Sequence, residues 1–183
     1  MENKKMKSTY KKEDALNTID RNTTWINTAD NKSSILLGIL SVLFGGTLIN
    51  LDTEFMQEII LNGTLDKKIL ALFISLFATI LLISVLLTFI FLIAVILSRT
   101  SSKIDKPAKR VSYFNDITRY RYEEFTDEII KIKEEELLQD LISQVYITSS
   151  IASKKYKLLS RGYISFAVYF GSTFVYALLI NFL

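Results

Sequence analysis

Between Arg110 and Thr126 the chain interleaves cations with rings: Arg110, Arg119 and Arg121 alternate with Tyr113, Phe114, Tyr120, Tyr122 and Phe125. A guanidinium is a planar fork of donors that matches a phosphate, and an aromatic face stacks a base, so residues of these types can hold a nucleotide. The same interleaving describes a membrane-proximal amphipathic helix with its rings packed and its arginines among headgroups. On residue types alone that plainer reading is preferred. The run Glu134, Glu135, Glu136 could attract a divalent cation, but without histidine or a second acidic cluster it reads as a solvated face near a helix start. Lys154 and Lys155 offer a second place for a phosphate; just before a long apolar run, they suit lipid headgroups better.

Much other chemistry has no players. The 183 residues include no cysteine and no histidine, which removes disulfides, thiol nucleophiles, imidazole bases and the usual zinc ligands. There is no glycine-rich phosphate loop, nucleophile elbow or TVGYG-like filter. Neither catalysis nor a cofactor or metal is expected. Half the residues are hydrophobic and 22% are charged, too apolar a balance for an ordinary soluble domain.

The elements that would position these residues are set by three uncharged runs. Ser33 to Leu51 gives 19 residues, Ile69 to Ser98 gives 30, and Gly162 to Leu183 gives 22, against the roughly 20 that cross a hydrocarbon core. Each is read as a transmembrane helix: 33–51, 69–98 and 162–183. The polar-rich residues before the first run do not match a signal peptide. Lysines and arginines number seven in 1–32 and thirteen in 99–161, but two in 52–68, which places the first two stretches in the cytoplasm. The loop 52–68 and the C terminus then lie outside. No run carries a charge, which argues against a proton relay or a coupled transporter. Ser34, Gly38, Ser41 and Gly45 share one face of the first run and permit close helix approach, within or between chains. The hydroxyls of Ser75, Thr79, Ser84 and Thr88 in the second can bond back to their own backbone.

In the cytoplasmic part, residues 1–12 read as a mobile, lysine-rich tail. Residues 13–32 read as a helix entering the membrane, with Leu16, Ile19, Trp25, Ile26 and Ala29 on its apolar side. Asp30 and Lys32 lie on different faces and need separate partners. Within 99–161, Pro107 marks a turn, and Asp127 to Ser160 forms the longest helical pattern, with Thr126 as its cap. Leu137, Leu141, Val145, Thr148, Ala152, Tyr156 and Leu159 make its stripe, broad enough to require a partner helix. The expected architecture is an all-α membrane protein, with three transmembrane helices and a helical cytoplasmic bundle, that self-associates.

The order of parts resembles the transmembrane effectors of bacterial Pycsar anti-phage systems. The residues that carry the resemblance are Trp25, Asp30, Lys32, Ser33, Ser34, Leu36 and Leu37 in WINTADNKSSILLGI, then Tyr113, Phe114, Asp116 and Ile117 in YFNDI. Asp140, Leu141, Gln144, Ile151, Lys155 and Tyr156 follow in DLISQVYITSSIASKKY. Asn115 stands where a glycine is expected. The resemblance implies an inner-membrane effector, with no nucleic-acid polymer as partner, that a cyclic pyrimidine mononucleotide, cUMP or cCMP, triggers to disrupt the bilayer. On that reading Arg110, Arg119 or Arg121 would take the phosphate and Tyr113 or Phe114 the base. The rival readings are a constitutive membrane scaffold recruiting a soluble partner through the Asp127 to Ser160 helix, and an effector answering a different cyclic nucleotide.

Overall fold

Thirty consecutive residues without a charge give water nothing to bind, and a helix is the way such a segment satisfies its own backbone in lipid. In the computed structural model, which describes residues 9–49, 61–98, 111 and 114–180, this segment is a helix. Among the described residues the helices given with both ends are, in chain order, α1 Lys12–Ile49, α2 Leu65–Leu97, α3 Phe114–Ile117, α4 Tyr122–Lys131 and α5 Glu134–Ile180. No strand occurs among the described residues.

The chain divides into two compact units. Residues 1–28 and 99–154 make the first, and 29–98 and 155–183 the second. The helix expected over 13–32 and the run after it are one helix, α1, and the helix expected from Asp127 runs on into the last apolar run as α5. No proline interrupts either passage, and Gly162 at the second does not break the helix.

Three helix starts use one device. The Asp14 carboxylate accepts the Lys11 amide N–H at 2.9 Å, Glu124 that of Arg121 at 3.4 Å, and Glu136 that of Lys133 at 3.4 Å. In each case an acid on the third helical residue reaches back to the capping amide, where the helix dipole also favours its charge. Glu136 therefore caps α5, while Glu134 and Glu135 stay exposed. Thr126 is not a cap. It lies inside α4 and donates to the Tyr122 carbonyl at 2.9 Å, because the helix begins four residues earlier and breaks at Ile132 and Lys133.

Two described helices, α2 and α5, are long and apolar enough to cross a membrane, not three. The run expected as the first span occupies the end of α1, where side chains are described only as far as Thr47. The run continues to Leu51, past the described residues, so the described part of α1 holds no full-length apolar span. On α2, Leu72 at 62%, Leu86 at 61% and Leu97 at 70% remain exposed, which a helix in a soluble core does not allow. The mobile tail falls largely, and the turn at Pro107 wholly, outside the described residues.

In the second unit the core is built from all three long helices. Ala29, Leu36, Leu92, Val95 and Leu159 form one cluster, and Leu40, Leu81, Val85 and Tyr169 another, with Phe166 packed against both. Between lipid-facing helices such fit, rather than escape from water, supplies cohesion. Buried residues recur every seven positions: Ile74, Leu81, Thr88 and Val95 on α2, and Lys155, Gly162, Tyr169 and Tyr176 on α5. Seven is the spacing of knobs-into-holes packing.

Candidate functional site

A polar junction interrupts this apolar core. A helix leaves its last four carbonyls without intrahelical partners, and α2, ending at Leu97, leaves that of Val95 among them. Lys155 of α5 supplies a donor. Its Nζ lies 2.7 Å from the Val95 oxygen and 2.5 Å from Asp30 Oδ1 of α1, so one ammonium ties three helices together. The Ser98 amide and hydroxyl also donate to Val95, at 3.3 and 3.1 Å. A cation here is doubly favoured, by the negative end of the α2 dipole and by the carboxylate. The Lys155 side chain is 5% exposed and that of Asp30 34%. Removing one partner of a fully buried pair costs about 3–5 kcal/mol, because the other charge is left uncompensated; the partial exposure of Asp30 lowers that figure here.

Two further contacts close the junction. Ser33 Oγ donates to the Leu92 carbonyl at 2.8 Å, joining α1 to α2. At Gly162 an added Cβ would stand 2.9 Å from Leu92 Cδ2, so α5 approaches α2 closely where it has no side chain. The Leu92 carbonyl already belongs to the α2 ladder, so Ser33→Ala leaves no group stranded. It should cost about 0.6 kcal/mol, the usual size of an interhelical hydrogen bond in a membrane bundle, as read from thermal unfolding in detergent.

Lys155 therefore does not reach headgroups. It is buried, and it provides the separate partner that Asp30 was expected to need. A buried ion pair stands at the edge of the uncharged runs, a feature the charge-free runs alone did not suggest.

The first unit carries most of the other residues singled out in the sequence, while Lys32 and Tyr156 lie in the second. Arg119 Nη1 lies 3.4 Å from Asp116 Oδ1, with the arginine side chain 56% exposed and the aspartate 5%. Arg121 is exposed at the start of α4. Arg110 and Tyr113 lie outside the described residues, as does the side chain of Phe114. Tyr120 packs against Phe125 with ring centroids 5.7 Å apart and planes inclined by 51°. Burial, and then the carboxylates of Glu128, Asp116 and Asp140, push its hydroxyl above the ordinary tyrosine range. Trp25 is 48% exposed with the Arg21 guanidinium 5.7 Å from its ring centre, Tyr156 is 38% exposed, and Lys32 faces outward. Asn22, 3% exposed, donates from Nδ2 to Thr148 Oγ1 at 3.0 Å, Ser149 Oγ at 2.8 Å and the Val145 carbonyl at 3.4 Å. Gln144 is buried too, its Nε2 without a hydrogen-bond partner among the described residues.

The Pycsar effector protein domain matches residues 14–182. The chain belongs to this family. As a Pycsar effector it has a role in anti-phage defence, and with its two apolar helices it is a membrane-associated protein. One relative, the Pycsar effector protein GmPycTM of Gulbenkiania mobilis, is 25% identical over 181 residues, covering 88% of each chain. No solved structure matches. In this Pycsar effector, the motif residues Asp30 and Ser33 and the distant Lys155 all sit at the polar junction.

Proposed function

We propose that this protein is a multi-pass inner-membrane effector that a cyclic pyrimidine mononucleotide, cUMP or cCMP, activates to permeabilise the bilayer and abort infection. The observation that carries this reading is the exposed apolar face of α2 in a chain that matches a Pycsar effector domain almost end to end. The first unit is cytoplasmic, with the N terminus, and the C terminus is external, in keeping with the thirteen lysines and arginines of 99–161. The protein acts as a gated membrane element and not as an enzyme, and it needs no cofactor beyond the activating nucleotide. The exposed Arg119 and Arg121, with Arg110, take the phosphate, and Tyr113 or Phe114 faces the base.

Self-association belongs to the same reading. Ser34, Gly38, Ser41 and Gly45 are exposed, and an added Cβ at either glycine would have nothing within 4 Å, so no described residue packs on this face. It is free for a second copy.

The test is dye release from liposomes containing the purified protein, titrated with cUMP, cCMP and a cyclic dinucleotide. Release with a pyrimidine mononucleotide alone is the expected result. Release only with the dinucleotide assigns a different nucleotide, and silence toward all three from correctly inserted protein assigns the constitutive scaffold. Single replacement of Arg110, Arg119 and Arg121 should weaken nucleotide binding; binding left intact by all three removes them from the site.

A further inference from the structure

We propose that the Asp30–Lys155 pair is a latch of the membrane unit, its ammonium enclosed and paired when the unit is closed and parted into water when it opens. The inference rests on the reading above that the chain is a gated permeabilising effector. It concerns the regulation of that activity.

The geometry makes the junction two-state. Lys155 Nζ is held at once by a carboxylate on α1 and a carbonyl on α2, so α5 cannot leave either helix at this level without stripping the ammonium of an acceptor. The lysine is almost wholly enclosed, so in a dry setting nothing replaces the lost acceptor. Once water enters, both ions are hydrated and the parted form becomes tolerable. Separation of the helices and wetting of the junction therefore occur together, and intermediate arrangements are disfavoured. Since α1 and α5 each extend well before the junction in sequence, a turn or slide of either helix moves its latch residue.

The two members are not equivalent, and this asymmetry gives the test its form. Asp30→Leu leaves an enclosed ammonium facing only a carbonyl, whereas Lys155→Met leaves a carboxylate that already reaches solvent. The experiment is nucleotide-free dye release from liposomes containing the full chain. Asp30→Leu should raise the ligand-free rate about tenfold or more, and Lys155→Met should raise it less. The double variant Asp30→Leu/Lys155→Met removes both charges and should return the vesicles to wild-type tightness, with a weakened response to cUMP or cCMP.

Asp30→Leu vesicles as tight as wild type would overturn the latch. So would a double variant as leaky as Asp30→Leu, since lost packing rather than an unpaired charge would then be the cause. If Asp30→Leu does not insert, the double variant decides alone: tight vesicles with a blunted response support the latch, and an unchanged response overturns it. Failure of the wild-type protein to respond to any nucleotide would refute the proposed function, while the ligand-free comparison would still report on the latch separately.

Discussion

Replacing Asn22 with aspartate should destabilise the first unit by about 3–5 kcal/mol, well beyond the roughly 1–2 kcal/mol expected for Asn22→Ala. The difference lies in what each change leaves behind. Asn22 is a donor at a buried seam, facing the Val145 carbonyl and two hydroxyls, and Thr148 already turns its own proton to the Gln144 and Val145 carbonyls. Alanine removes the donor but strands nothing, because the α5 carbonyl keeps its helical bond and the hydroxyls can bond their own helix. A carboxylate instead sets a charge against oxygens, with Ser149 alone able to donate. Its charged form is the disfavoured one, so its pKa in the folded protein rises above the usual carboxylate value of about 3.9. The deficit should then be small near pH 4 and grow as pH rises. Thermal unfolding of both variants at pH 4 and pH 8 checks this; equal losses, or a pH-independent one, would show that Asn22 acts only through its shape.

Gly162→Ile is expected to cost about 2 kcal/mol, because its branched side chain must occupy space held by Leu92 and Phe91 of α2. Gly162→Ala is a different case. Its methyl group meets Leu92 Cδ2, the far end of a flexible side chain, at 2.9 Å, and a small shift there is offset by a gain of up to about 1 kcal/mol in helix propensity. The alanine variant should therefore stay within about 1 kcal/mol of wild type. Unfolding in detergent, compared across glycine, alanine and isoleucine, measures the closeness of α2 and α5 directly. If isoleucine matched alanine, the two helices would not be in contact at this level.

How much of this could be read from the sequence depends on what kind of signal a residue gives. The helix α2 was legible because thirty uncharged residues say nearly everything through composition, and its observed bounds, Leu65–Leu97, differ from 69–98 by four residues or fewer. The seams were harder. On α5 an apolar stripe through Val145, Thr148 and Tyr156 was expected, yet Gln144 and Lys155 are buried and Tyr156 is not. A search for apolar periodicity discards the polar members of a seam, and these two are the ones that matter. On α1 the same bias found the buried Ala29 but picked Leu16 and Trp25, both about half exposed, over Ala15 and Asn22, which with Ala29 repeat every seven positions and are buried. A seven-residue count that allowed small and polar residues would have found them.

The pairing of Asp30 with Lys155 joins positions 125 apart. Nothing in either neighbourhood announces it, and Lys155 beside Lys154 resembled any basic cluster at a membrane edge. The acids that cap α1, α4 and α5 were legible in principle, but the residues before these helices are Lys11, Arg121 and Lys133, not the serine or threonine usually sought. The signal was the acid three residues further on.

The hydroxyls of α2 bear on what could pass through this protein. Ser75 donates to Ala71, Thr79 to Ser75, Ser84 to Leu81 and Thr88 to Ser84, so every one of their protons is spent on the helix that carries it. A passage bordered by this helix would meet a solute with oxygen lone pairs and methyl groups, and with no fixed charge between Lys68 and Arg99. Such a wall offers acceptors but no donor and no fixed charge, so it sorts cations by width and little else. On the proposed reading, potassium and protons would cross together there, collapsing voltage and pH gradients in one event.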